Sequence, residues 1–143
     1  MLGQHLIKHW SLTQTTVTLS SAEAELGGIT RGASTSMGLV SIAADLGFTW
    51  VLTLQTDSMA AISICRRRGL GKIRHLATAD LWVQDRLRAG DFKLVKVLGT
   101  ENIADSLAKF VDRRTLCEHL ATMGIRQQEG RPELAPKIDT SSV

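Results

Sequence analysis

The chain has 143 residues, 43% of them hydrophobic, which is enough to bury one core and too few for two domains of ordinary size. Seventeen Lys and Arg against fourteen Asp and Glu leave a formal charge of +3. The basic residues gather between Arg66 and Lys96, so the local field exceeds what the total suggests, and a polyanionic partner is expected. Cys65 and Cys117 stand far apart, with no CxxC pair and no His at zinc spacing, which argues against a disulfide framework or zinc site and reads as two reduced core thiols. No apolar run reaches the roughly 20 residues of a membrane span, and the amino terminus has no signal-peptide apolar region. A soluble, intracellular chain without membrane contact is the expectation.

Leu6, Ile7 and Trp10, a polar link from Ser11 to Gln14, and then the β-branched run Thr15-Thr-Val-Thr-Leu19 predict two antiparallel strands. Ser20 followed by Glu23 has capping-box spacing, and the Ala-rich run to Leu46 with its Gly47 stop predicts one long helix. Gly27, Gly28 and Gly32 either weaken that helix or permit close packing against it. Residues 50–54 read as a buried strand that delivers Asp57 just beyond its carboxyl end, and residues 59–67 as a short helix. Gly69 and Gly71 break the pattern. Leu76, Ala79, Val83 and Leu87 resume it as an amphipathic helix. Residues 92–98 predict the last strand. Asn102 can cap a helix carrying Asp105, Leu107 and Ala108, and residues 116–123 add another apolar turn or two. Residues 126–143 are polar, hold both prolines and show no period, so they read as a flexible tail behind a single α/β domain at 1–125.

Acids at a strand end, in the first turn of a helix and in a later helix supply the hard oxygen ligands that magnesium requires. Two such ions a few ångströms apart can activate a water and stabilise the leaving oxygen in phosphodiester cleavage. Each acid taken singly also has a structural reading, since an Asp after a strand is commonly a helix cap.

The wording around the acids is more specific than their spacing. Ser20-Ser-Ala-Glu-Ala-Glu25-Leu, Thr56-Asp57-Ser-Met-Ala-Ala-Ile and Asn102-Ile-Ala-Asp105-Ser-Leu-Ala-Lys109, in this order, resemble the ribonuclease H domain at the carboxyl end of copia-type LTR retrotransposon Pol polyproteins. The stretch from His5 to Val17 looks like the strand pair that precedes the family's Ser-Ser-x-Glu-Ala-Glu motif, and Arg74-His75-Leu76 resembles its Lys/Arg-His-Ile/Leu motif. The similarity runs from Gly3 to Ile125. It implies a ribonuclease H-like mixed sheet flanked by helices, truncated at the amino terminus. It also implies two magnesium ions, or manganese in their place, held by four carboxylates that cleave the RNA strand of an RNA:DNA hybrid, beside the reverse transcriptase portion of the same polyprotein.

Carried over residue by residue, Glu25 matches the acid of the first long helix, Asp57 the acid after the fourth strand, and Asp105 the acid of the final helix. Glu23 has a sufficient structural role in the capping box, so Glu25 is preferred as the ligand. The family's fourth acid, an Asp bridging both metals, lies on a first strand that precedes the segment beginning at Met1. None of Asp45, Asp80, Asp85, Asp91 or Asp112 has a context that replaces it. The expected consequence is an incomplete two-metal site and unpaired strand edges where that central strand would lie.

Arg66, Arg67, Arg68, Lys72, Arg74 and His75 surround Gly69 and Gly71 in a highly positive connection beside the Asp57 helix. Such a segment can neutralise phosphates, and an A-form-like hybrid is recognised largely through its backbone and 2′-hydroxyls, although a solvated charge run has the same composition. His75 can orient a phosphate or a leaving group, or simply start a helix. Trp10, Trp50 and Trp82 sit in apolar patterns and read as core, while His5 and His9 lack a third ligand for a metal. Two function classes therefore stand: a metal-dependent hybrid ribonuclease, inactive as this chain alone, and a non-catalytic relic or nucleic-acid-binding module of a retroelement polyprotein. An unrelated α/β unit whose acids are caps is a third, and it requires that Glu25, Asp57 and Asp105 stay apart.

Overall fold

The computed structural model describes residues 1–3, 5–11, 20–69, 78–125 and 130. The predicted strand at 15–19, Lys72, Arg74, His75 and all of the predicted tail but Gly130 lie outside the described residues. The order of elements is α1 (Ser21–Asp45), β1 (Thr53–Thr56), α2 (Met59–Arg66), α3 (Thr78–Ala89), β2 (Lys93–Lys96), a 3-10 turn (Gly99–Glu101), α4 (Asp105–Ala108) and α5 (Arg113–Thr122). No described helix is long and apolar enough to cross a membrane.

Helix α1 begins and ends on local signals. The Ser20 hydroxyl accepts the Glu23 backbone N–H at 3.3 Å. At the other end Gly47 takes φ +83°, a left-handed conformation. This lets Phe48 N–H reach the Ala43 carbonyl at 2.8 Å and Gly47 N–H the Ala44 carbonyl at 2.9 Å, satisfying carbonyls the helix would otherwise leave open. Its buried residues include Leu26, Ile29 and Ala33, spaced as one helical stripe. Of the three glycines, only Gly32 faces a neighbour: a Cβ there would meet Leu54 at 3.8 Å, while Gly27 and Gly28 face open space. Those two act through helix propensity and not through packing.

Strands β1 and β2 pair in parallel, with Thr53 opposite Lys93 and Thr56 opposite Lys96, and α2 and α3 form the crossover between them. Both strands are shorter than the apolar runs that predicted them, because a strand persists only where a partner satisfies its backbone. Among the described residues no other strand flanks β1. Residues 6–10 carry no strand; the Leu6 N–H instead donates to the Met123 carbonyl at 3.3 Å, attaching this segment to the end of α5. The core joins Leu26, Ile29 and Ala33 of α1 to Ala61, Ile62, Ile64 and Cys65 of α2, Val83 of α3, and Phe92 and Leu94 at β2. All three tryptophans are half-buried, and of these Trp82 packs against the core.

Candidate acidic site

Asp57 leaves the carboxyl end of β1 one residue before the cap of α2. The cap is Ser58, whose hydroxyl accepts the Ala61 N–H at 3.2 Å while its own N–H donates to the Thr56 hydroxyl at 3.2 Å. Asp57 is therefore not the helix cap, and its carboxylate is held by something else. The Asn102 side-chain amide donates to Asp57 Oδ1 at 3.4 Å, and the same side chain's oxygen accepts the Ala104 N–H at 3.3 Å. The Asp105 N–H donates to the Asn102 carbonyl at 3.0 Å. One asparagine thus joins Asp57 to the turn that opens α4. Asn102 is not the cap of α4, whose N-cap is Ala104 with no side-chain cap bond; its side chain instead turns the backbone just before the helix and reaches 45 residues back along the chain.

Asp105 stands first in α4 with its side chain 16% exposed, and its Oδ2 receives the Lys109 ammonium at 2.7 Å. Glu25 lies in the first turns of α1. Although the residue is exposed, its carboxyl is pushed above the ordinary glutamate range, first by lost hydration, then by the negative charges of Asp57 and Asp105, with Lys109 pulling the other way. The Lys109 ammonium is held above the usual lysine range, first by its bond to Asp105 and that residue's charge, and further by Asp57 and Glu25. Three acids from α1, the end of β1 and α4 therefore act on one another electrostatically, with the Lys109 ammonium beside them. Among the described residues no group of three or more His, Cys, Asp or Glu side chains is placed to hold a metal ion. As hard oxygen donors whose charges repel one another, Glu25, Asp57 and Asp105 fit a divalent cation in chemistry. Lys109 is the cation that meets that field in this arrangement.

The chain is similar to the retrovirus-related Pol polyprotein from transposon RE1 of Arabidopsis thaliana, 24% identical over 127 residues, which make up 87% of this chain and 9% of the relative. It spans less than a tenth of the length of the curated relative it matches. The similarity supports an origin in a retrotransposon Pol polyprotein. No protein-family model matches the chain, and no solved structure matches it.

The basic residues that can be located do different things. Arg66 Nη2 donates to the Leu94 carbonyl of β2 at 3.4 Å, so part of its guanidinium is committed to the fold. Arg67 has two buried guanidinium nitrogens, Nε and Nη2, with no hydrogen-bond acceptor among the described residues. Arg68 lines a shallow cavity of about 280 Å³ with Gly69, Leu81, Gln84, Asp85 and Arg88. Gln84, 3% exposed, shapes its floor: Nε2 donates to the carbonyls of Ile64 at 3.0 Å and Gly69 at 3.2 Å, and Oε1 accepts the Gly69 N–H at 3.0 Å. Gly69 itself takes φ +74°, so the basic connection departs from a clamped turn. Sequence reasoning passed over Gln84, Lys109 and His119. Only Lys109 carried a signal, an i,i+4 partner for Asp105.

Proposed function

We propose that residues 1–125 form a retroelement-derived ribonuclease H-like domain that hydrolyses the RNA strand of RNA:DNA hybrids when completed by an upstream strand bearing a fourth acid. In this reading Glu25, Asp57 and Asp105 hold magnesium, or manganese in its place. Bound metal would activate the attacking water and stabilise the leaving oxygen. The chain's own part is to supply three carboxylates from separate elements, with Asp57 and Asp105 acting electrostatically on Glu25, and basic residues for a polyanionic partner. Arg66, Arg67, Arg68, Lys72, Arg74 and His75 are the residues that would contact the phosphates of a hybrid backbone. The reverse transcriptase portion of the same polyprotein is the expected neighbour.

The observation that carries this reading is the common field of Glu25, Asp57 and Asp105, together with the transfer of the capping role from Asp57 to Ser58. A second reading, a non-catalytic relic that keeps only nucleic-acid affinity, is favoured by the ion pair in which Lys109 occupies Asp105. The test is magnesium-dependent cleavage of a labelled RNA:DNA hybrid by this chain and by a form extended upstream, each beside its Asp57→Asn variant. Cleavage by the extended form that Asp57→Asn abolishes supports the ribonuclease. Hybrid binding without cleavage by either form supports the relic.

A further inference from the structure

His119 is 5% exposed, in the last turn of α5, and both of its ring nitrogens are engaged. Nε2 faces the Thr100 carbonyl at 3.3 Å. A carbonyl only accepts, so Nε2 carries the hydrogen, and Nδ1 is left as the acceptor for the Ser106 hydroxyl. Ser106 follows Asp105. Thr100 follows Gly99, which packs behind Asp57 so closely that a Cβ there would lie 3.4 Å from Asp57 Oδ2. The two ring nitrogens therefore grip the two short segments on which the acid site depends.

Those segments have little to hold them otherwise. The 3-10 turn has three residues and α4 has four; neither contains a buried residue or a side-chain cap of its own. Elements this short do not persist on backbone hydrogen bonds alone. We infer that His119 is a positioning residue, which locks the Asp105 turn to the turn behind Asp57 through one hydrogen bond from each nitrogen of a buried imidazole. Its effect on the geometry of residues 99–109 stands by itself; its effect on metal rests on the function proposed above.

The experiment uses the full chain, with His119→Leu, His119→Gln and, as a destabilised control remote from the site, Val83→Ala. Glutamine is the rescue because its amide offers an acceptor and a donor at nearly the spacing of the ring nitrogens. Amide hydrogen exchange at residues 99–109 and manganese affinity by paramagnetic resonance are the readouts. The expected result is that His119→Leu keeps the exchange protection of α1 and α2, loses protection across residues 99–109, and binds manganese about tenfold more weakly. His119→Gln should restore most of both, and Val83→Ala should not reproduce the pattern. A folded His119→Leu with unchanged exchange across residues 99–109 overturns the inference, as does failure of glutamine to restore what leucine lost. If His119→Leu does not fold, Ser106→Ala, which removes only the hydroxyl, must loosen the same residues or the inference fails. Absence of manganese binding by the unaltered chain would count against the proposed metal site alone, since hydrogen exchange still decides the role of His119.

Discussion

The Lys109 ammonium rests 2.7 Å from the Asp105 carboxylate, one helical turn away, and its charge also acts on Glu25 and Asp57. This lysine serves as an internal counter-ion for all three acids. A divalent cation that uses Asp105 Oδ2 must displace it there.

Lys109→Gln should therefore bind manganese about fivefold more tightly than the unaltered chain, the upper end for removal of one solvent-exposed charge pair. Titration followed by paramagnetic resonance reads this directly. Weaker binding would mean that Lys109 orients Asp105 for the metal and does not compete with it.

Glu25 sets a pH dependence. Its folded value is raised above the ordinary 4.5, so in the window between the two values the folded state holds more protons than the unfolded one. Its contribution to stability is then complete at acid pH and declines as pH rises through the raised value. In the presence of a chelator, Glu25→Gln should be more stable than the unaltered chain at neutral pH and should lose that advantage below 4.5. Urea denaturation across that range tests it, and equal pH slopes for the two proteins would refute the shared field.

Asp112 works in the opposite sense. Its carboxylate is held below the ordinary aspartate range, first by the Thr115 hydroxyl and then by the Thr115 backbone N–H, as it caps α5. Stability from this cap is complete above the unfolded value of 3.8 and is lost as pH falls through the lower folded one. Asp112→Ala should lower the thermal midpoint at neutral pH and approach the unaltered chain at strongly acid pH, as a series of melting curves would show.

Gln84→Leu should destabilise the chain by about 1–3 kcal/mol, because it strands the carbonyls of Ile64 and Gly69 and the Gly69 N–H beside an apolar side chain. Chemical denaturation measures the loss. Weaker hybrid binding in the same variant would connect the Gly69 turn to the placement of the basic residues.

The parts legible in the sequence are those decided within a few residues. Ser20 and Gly47 bound α1 because a hydroxyl reaches an N–H three positions on and glycine alone adopts a positive φ without strain. The 59–67 expectation differs from α2 by one residue, and the stripe of Leu26, Ile29 and Ala33 follows from helical periodicity. The ordered acidic phrases singled out Glu25, Asp57 and Asp105, but whether their charges meet could not be read from spacing, since they belong to α1, the end of β1 and α4. Strand limits shifted for a related reason: Trp50 to Leu52 and Val97 to Leu98 are apolar enough for strand, yet register with a partner decides where the ladder runs. Ser58 taking the cap, Asn102 reaching Asp57, and His119 joining Thr100 to Ser106 are all decided by the tertiary structure. A hydrogen bond acts over about 3 Å, and only the folded chain brings donors and acceptors from such distant positions within that reach.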